Sequence, residues 1–261
     1  MNPVEVHHRI DESPDLPPDA PTIVLSNSLG STVTMWDRQI PALSGVARVV
    51  RYDIRGHGRS PVPNGPYDLD DLTDDVVALL DRLALDRVHF VGLSIGGMTG
   101  MRLAAREPDR VDRMVVLCTS VRLEPTQGWH DRAATVRSEG AAAVAEAVAG
   151  RWYTRGFHER HPDRVADAIR LIGSTPPEGY ASCCEAIATM DLRDDLAAII
   201  APTLAIAGAE DPATPPDHLE RIADGVKDGR LLVVPEAAHL ANDEQPDVVN
   251  PAIIDHLGLR G

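Results

Sequence analysis

The stretch VHFVGLSIGG, residues 88–97, decides the fold. Its first part, 88–93, is an apolar run typical of a buried strand, and a helix-compatible segment begins directly after Ser94. The Gly-x-Ser-x-Gly pattern between them is typical of a tight strand-to-helix turn that holds a serine hydroxyl clear of the sheet. Side chains at Gly92 or Gly96 would collide across so sharp a turn. The pattern also arises by chance in loops, but the flanking strand and helix favour a nucleophile.

Strand and helix patterns alternate on both sides of this motif. Apolar runs typical of strands lie at 22–25, 46–54, 113–119, 202–207 and 230–234, with a possible edge strand at 4–10. Helix patterns lie between them, at 35–43, 68–85, 95–106, 216–224 and 243–257. This alternation predicts an α/β fold whose sheet is mostly parallel and doubly wound, with helices on both faces.

The alternation stops between residues 120 and 190. Only helix patterns occur there, at 128–138, 141–153, 162–172 and 178–190. A stretch of about seventy residues without a strand, between two α/β halves, indicates an insertion that lies over the sheet. We therefore expect a core domain made of residues 1–119 and 191–261, and a helical cap made of residues 120–190.

Composition narrows the possible partners and the compartment. The 261 residues carry a net charge of −15, so we expect neither nucleic acid nor an anionic membrane as a partner. No signal peptide or run of 18 apolar residues is present, and the three cysteines are poorly spaced for disulfides. These features predict a cytoplasmic protein. No Cys/His spacing resembles a zinc site, and the chemistry expected here needs no metal or organic cofactor. The oligomeric state stays open.

A serine nucleophile at residue 94 needs two further side chains. Its hydroxyl is weakly nucleophilic at neutral pH, so it requires a base and a group that orients the base. In enzymes with a nucleophile on such a turn, the acid and then the histidine follow the serine along the chain. Asp211 and His239 each come directly after a predicted strand and fit that order. Glu210 is the alternative acid, but the Asp-Pro turn and the shorter side chain favour Asp211.

The choice of base is made among ten histidines. His57 is the serious alternative to His239, because it lies in a turn-rich loop at the same edge of the sheet. It precedes the serine, however, and so breaks the expected order. His89 lies inside the nucleophile strand, from which a side chain cannot reach over the edge of the sheet. We therefore assign the base to His239.

The tetrahedral intermediate of acyl transfer needs two hydrogen-bond donors for its oxyanion. One is expected to be the backbone N–H of Ile95, immediately after the nucleophile. The other is expected from the loop after the strand at 22–25, at the N–H of Leu29. Both donors belong to the backbone, so the side chains of these two residues matter little.

The chain resembles the 3-oxoadipate enol-lactonase family of α/β-hydrolases along almost its whole length. The segments that carry the resemblance are NSLGSTVTMWD (27–37), YDIRGHGRS (52–60), GLSIGGMTG (92–100), STPPEGYASCCEAIATMDLRDDL (174–196), AGAEDPATPP (207–216) and AAHLANDEQP (237–246). The first three are widespread among α/β-hydrolases, whereas the cap segment and the DPATPP run are narrower. Asn27-Ser28 replaces the His-Gly common in the wider superfamily, which matches this family. The resemblance implies the same triad and the same two oxyanion donors.

The family's reaction is hydrolysis of 3-oxoadipate enol-lactone, a small anionic lactone, to 3-oxoadipate in the β-ketoadipate pathway of aromatic compound degradation. An acidic protein must supply a cation for the carboxylate of such a substrate. The candidates are in the predicted cap: Arg132, Arg137 and Arg151, with Trp129 and Trp152 nearby in sequence. Alternatives are another ester or lactone hydrolase, a haloperoxidase-like esterase, a carbon–carbon bond hydrolase, and a hydrolase-fold receptor with little turnover.

Overall fold

The structure, a computed structural model, describes residues 1–259. Its centre is a sheet of seven strands: β1 (His8–Asp11), β2 (Thr22–Ser26), β3 (Arg48–Tyr52), β4 (Val88–Leu93), β5 (Val111–Leu117), β6 (Thr203–Gly208) and β7 (Gly229–Val234). The strands lie in the order β1-β3-β2-β4-β5-β6-β7. The edge strand β1 is antiparallel to β3, and the other neighbouring pairs are parallel. The predicted α/β fold with a mostly parallel sheet is confirmed.

Helices connect and cover these strands. They are α1 (Ile40–Leu43), α2 (Leu69–Arg82), α3 (Ile95–Arg106), α4 (Gln127–Glu139), α5 (Ala142–Trp152), α6 (Arg155–Arg160), α7 (Pro162–Gly173), α8 (Pro177–Thr189), α9 (Pro216–Gly225), α10 (Ala241–Glu244) and α11 (Pro246–Leu257). Short 3₁₀ turns lie at Val33–Trp36, Pro108–Arg110 and Leu196–Ala198. None of the helices within residues 1–259 has the length and apolar character needed to cross a membrane.

The boundaries of several elements differ from those predicted from the sequence. The helix expected at 243–257 is divided into α10 and α11, because the ring of Pro246 prevents the helix from continuing through Gln245. The helix expected at 35–43 is a 3₁₀ turn followed by α1. The edge strand expected at 4–10 is the shorter β1, at His8–Asp11. The sequence analysis missed α6, which is too short to show a periodic pattern and begins at the N-cap Thr154.

The helices α4 to α8 lie between β5 and β6, and no strand interrupts them. They contact the core on two sides. On one side, backbone meets backbone: a Cβ on Gly179 of α8 would collide with Gly56 in the loop after β3. On the other side, the N–H of Leu240 donates to the carbonyl of Trp152 at the end of α5, at 2.9 Å. We refer to α4 to α8 as the cap, and we propose that they form the helical insertion expected from the sequence.

A buried ion pair holds the loop after β3 against α2. The guanidinium of Arg55 is fully buried and donates twice to Asp75, with both N–O distances 2.6 Å. Its third nitrogen lies 3.6 Å from Asp71, whose other partner is the N-terminal ammonium. The backbone N–H of Val4 donates to Asp75 at 2.7 Å. Removing one member of such a group leaves the opposite charge buried without full compensation.

We expect Asp75→Ala to lower the free energy of unfolding by about 3–5 kcal/mol, because Arg55 loses its bidentate partner inside the protein. The measurement is urea unfolding followed by circular dichroism. Asp74→Ala on the same helix is the control, since Asp74 pairs with Arg106 near the surface and its loss should cost about 0–1 kcal/mol. If the free energy of unfolding fell by the same small amount in both variants, the buried pair would not be important for stability.

Candidate active site

Ser94 occupies a sharp turn between β4 and α3. Its backbone has φ 57° and ψ −119°, in the left-handed half of conformational space, where a non-glycine residue is strained by roughly 1–3 kcal/mol. Two buried hydrogen bonds hold it there. Its N–H donates to the carbonyl of Leu117 at 2.9 Å, and its own carbonyl accepts from the Thr119 hydroxyl at 2.7 Å. The end of β5 and the segment directly after it therefore hold the serine at the edge of the sheet.

Two glycines allow this turn to pack against the loop after β2. A Cβ on Gly92 would collide with the carbonyl of Gly96, and a Cβ on Gly96 would collide with the carbonyl of Ser26. With neither side chain present, the N–H of Gly96 donates to the carbonyl of Asn27 at 3.1 Å. The start of α3 and the loop that contains Leu29 are thus in direct backbone contact.

The structure brings Asp211 and His239 together as the sequence analysis expected. Nδ1 of His239 lies 2.8 Å from Oδ2 of Asp211, and both side chains are buried. The carboxylate also accepts from the Thr214 hydroxyl at 2.7 Å and from the N–H of Ala213 at 2.8 Å. Burial raises the pKa of Asp211, but His239 and these donors outweigh it and hold the pKa below its usual value. An ionised Asp211 keeps the proton of His239 on Nδ1 and leaves Nε2 as a proton acceptor.

Ser94 and His239 line one narrow cavity of about 50 Å³. A volume of this size holds only a few water molecules, so a larger ligand has to displace side chains or the cap. Core residues in its wall are Ser28, Leu29, Ala213 and Thr214. The cap contributes Leu123, Trp129, Arg132, Val148, Arg151, Trp152 and Tyr180. The nucleophile and the base therefore face the cap across a shared space.

A larger cavity of about 370 Å³ lies beside this one, and Trp152 lines both. Its wall includes Met35, Leu171 and Leu240, but neither Ser94 nor His239. We place the chemistry in the smaller cavity, because a nucleophile and a base have to meet the same ligand.

Four of the five cap side chains expected at the substrate lie in the catalytic cavity: Trp129, Arg132, Arg151 and Trp152. The expectation for Arg137 is corrected, because it is not among the cavity residues. Its guanidinium lies instead against Glu178, at 2.9 Å, and Glu185, at 2.5 Å. Arg132 and Arg137 are five residues apart on α4, which turns their side chains about 140° from one another around the helix.

Arg132 and Arg151 have no carboxylate partner within 4 Å among residues 1–259. The Arg132 guanidinium lies over the ring of Trp129, 4.4 Å from its centroid. Burial lowers the pKa of Arg151, and the positive charge of Arg132 lowers it further. Two neighbouring cations without a counter-charge, in a partly desolvated cavity, favour binding of an anion.

A carboxylate that the sequence patterns did not indicate connects the loop of His239 to the end of α5. Oε2 of Glu244 accepts the N–H of Ala238, the residue before His239, at 2.6 Å. Its Oε1 accepts from the N–H and the hydroxyl of Thr154, at 2.9 and 2.8 Å. Thr154 follows the end of α5, where Arg151 and Trp152 lie. Nothing in the local sequence marks this role, since both partners are distant along the chain.

His57 does not take the position of a base. It is fully buried, and its Nε2 accepts the N–H of Gly30 at 2.9 Å, next to the expected oxyanion donor Leu29. Its Nδ1 lies 3.3 Å from the carbonyl of Arg55, to which it donates in the same tautomer. Burial lowers the pKa of His57 to about 4. A neutral His57 therefore supports the loop at Gly30, because a second ring proton would remove the acceptor.

Known proteins share this fold and a large part of this sequence. The model of the alpha/beta hydrolase fold family matches residues 21–246. A 3-oxoadipate enol-lactonase of Acinetobacter baylyi is 41% identical over 90% of this chain and 88% of its own length. A putative carbamate hydrolase of Variovorax paradoxus is 33% identical over 92% and 93% of the two chains. The crystal structure of the enol-lactonase from Burkholderia xenovorans matches with a TM-score of 0.94 at 42% identity, covering 98% of this chain and 97% of that chain.

Protonation of His57 should destabilise the protein in acid. The unfolded chain binds this proton with a pKa of about 6.5 and the folded chain with a pKa of about 4. Between these values the unfolded state binds more protons, so the free energy of unfolding falls as the pH falls, by about 3 kcal/mol in total. In His57→Gln the glutamine oxygen can still accept the N–H of Gly30, but it does not titrate. This pH-dependent loss of unfolding free energy should therefore be absent from the variant.

The measurement is urea unfolding of both proteins at several pH values from 7 to 4.5. His130→Gln removes an exposed histidine and should retain the wild-type slope. Parallel stability curves for wild type and His57→Gln would show that His57 does not titrate as described.

Proposed function

The chain belongs to the 3-oxoadipate enol-lactonase family of α/β-hydrolases, and we propose that it hydrolyses 3-oxoadipate enol-lactone to 3-oxoadipate in the β-ketoadipate pathway. The observation that carries the proposal is the unpaired cation pair, Arg132 and Arg151, in the same cavity as Ser94 and His239. The enol-lactone has a carbonyl for the nucleophile and a carboxylate for the two cations. One small cavity therefore has complementary groups for both ends of this substrate.

Acylation begins with attack of the Ser94 hydroxyl on the lactone carbonyl, while Nε2 of His239 takes the hydroxyl proton. Asp211 stabilises the resulting imidazolium through the bond to Nδ1. The oxyanion accepts hydrogen bonds from the N–H groups of Leu29 and Ile95. Ile95 is the first residue of α3, so the positive end of the helix dipole also faces the developing negative charge.

Collapse of this intermediate breaks the bond between the carbonyl carbon and the ring oxygen. The ring oxygen leaves as an enol after receiving the proton from His239, and the enol tautomerises to the ketone of the product. An enol oxygen is a better leaving group than an alcohol oxygen because its charge is delocalised. Water then attacks the acyl-enzyme, with His239 again as the base, and the second collapse releases the carboxylate and restores the Ser94 hydroxyl.

Hydrolysis of another small ester is the alternative, with carbamates included because one relative at 33% identity is named a putative carbamate hydrolase. All these reactions use the same serine, histidine and oxyanion donors, so the triad does not separate them. The cation pair does separate them, because a neutral ester gains nothing from Arg132 and Arg151. A panel of charged and neutral substrates is therefore the discriminating assay.

Replacement of either proton-transfer partner should remove turnover. We expect Ser94→Ala and His239→Ala each to lower kcat for the enol-lactone by roughly 10⁴-fold, because the two side chains act as one unit. The measurement is the rate of enol-lactone consumption, with circular dichroism to verify folding. His57→Gln is the comparison, and it should keep most of the activity at pH 7. If His57→Gln abolished turnover and His239→Ala did not, the base would be misassigned.

The cation pair should set the preference for a charged substrate. We expect Arg132→Ala and Arg151→Ala each to lower kcat/KM for the enol-lactone by roughly 10- to 100-fold, since remote binding energy positions the carbonyl for attack. For a matched enol-lactone whose carboxylate is replaced by a carboxamide, kcat/KM should fall much less in the same two variants. Arg137→Ala, on the same helix but outside the cavity, is the matched control. Equal rates for both lactones in wild type would exclude a cationic subsite.

A further inference from the structure

The hydroxyl of Tyr180 is a buried polar group whose role the fold does not explain. Tyr180 lies on α8, is fully buried, and lines the catalytic cavity. Among residues 1–259, no group accepts a hydrogen bond from its hydroxyl. A buried hydroxyl without an acceptor costs about 1–3 kcal/mol, and phenylalanine would fill the same space without that cost.

The ring of Tyr180, by contrast, has a clear packing role. A Cβ placed on Gly30 would lie 3.1 Å from the ring carbon Cε2, so the ring covers the loop at that glycine. The ring also stacks on His57, with 6.4 Å between the ring centroids. These contacts hold the ring beside the loop of Leu29 and thereby fix the direction of the hydroxyl. They require an aromatic ring but not its oxygen.

The hydroxyl remains available as a donor. Burial raises the pKa of Tyr180, and the positive charges of Arg132 and Arg151, with a hydrogen bond from Arg132 to the phenol oxygen, only partly oppose the shift. The phenol therefore stays protonated and its proton is free to be donated. All three side chains line the cavity that contains Ser94. A neutral donor and two cations therefore surround one space.

We propose that the Tyr180 hydroxyl donates a hydrogen bond to the substrate's carboxylate, beside the cations Arg132 and Arg151. The inference rests on the proposed function, because it needs an anionic substrate in this cavity. A carboxylate accepts several hydrogen bonds on its two oxygens, so a third donor has a free position. Because the ring is held by packing, the hydroxyl loses little conformational freedom when the ligand binds, and its bond adds to selectivity as well as affinity.

The experiment compares Tyr180→Phe with wild type on the enol-lactone and on the carboxamide analogue. Tyr180→Phe keeps the ring and removes only the donor. We expect kcat/KM for the charged lactone to fall roughly 10-fold or more, and for the neutral analogue to change by less than about 3-fold, in line with loss of one hydrogen bond to a charged group. The melting temperature should stay equal or rise, since a buried hydroxyl without an acceptor has been removed.

Tyr153→Phe is the matched control. Its hydroxyl donates to Asp243 at 3.0 Å, and Tyr153 is not among the residues of the catalytic cavity. This variant should lose some stability and keep the wild-type ratio of rates on the two lactones. A change of that ratio in Tyr153→Phe equal to that in Tyr180→Phe would overturn the assignment.

The outcomes separate the inference from the proposed function. If wild type prefers the charged lactone, and the arginine variants lose this preference while Tyr180→Phe keeps it, the hydroxyl does not contact the carboxylate and only the inference fails. If Tyr180→Phe slows both lactones equally, the residue acts through packing, which also overturns the inference. If wild type shows no preference for the charged lactone, both the anionic subsite and the role of Tyr180 are wrong.

Discussion

Backbone contact between the nucleophile turn and the loop after β2 is the constraint on which the site depends. Gly92 and Gly96 leave out the side chains that would separate them, so an N–H of α3 reaches the carbonyl of Asn27. Within this turn Ser94 has a strained backbone conformation, and hydrogen bonds with Leu117 and Thr119 hold it there. The loop of Leu29 and the first turn of α3 are thereby adjacent before a ligand binds. Donors fixed in advance stabilise a developing charge most strongly, which supports the proposed role of the N–H groups of Leu29 and Ile95.

The cap packs against the other side of the loop after β2. Gly30 donates its N–H to His57, and the ring of Tyr180 lies against both. Backbone contact between Gly56 and Gly179 brings α8 close enough for this packing. On the opposite side of the cavity, Glu244 joins the loop of the base to the end of α5. The cap is therefore connected both to the loop of Leu29 and to the loop of His239, the two segments that we propose to act on the substrate from opposite sides of the cavity.

Charge in the cap is distributed unevenly for a protein with a net charge of −15. Arg137 is neutralised by Glu178 and Glu185, as most surface arginines are neutralised by nearby acids. Arg132 and Arg151 lie in a cavity without an acidic side chain in its wall, within the part of the chain that the structure describes. The overall charge repels anions, whereas the local charge attracts them. Entry into this one cavity is thus favoured over non-specific binding elsewhere on the surface.

The sequence by itself determined what depends on short-range pattern and chain order. Alternating strands and helices predicted the parallel sheet. Ser94, Asp211 and His239 follow the strands β4, β6 and β7, and this predicted that they would lie close together, because parallel strands end at one edge. No comparable rule predicts which side chains on the cap helices face the cavity. Arg132 and Arg137 are indistinguishable in sequence, and only the rotation of α4 against the core decides which of them faces the cavity. The buried hydroxyl of Tyr180 and the bridging carboxylate of Glu244 depend on contacts between distant segments, and those contacts exist only once the cap has packed on the sheet.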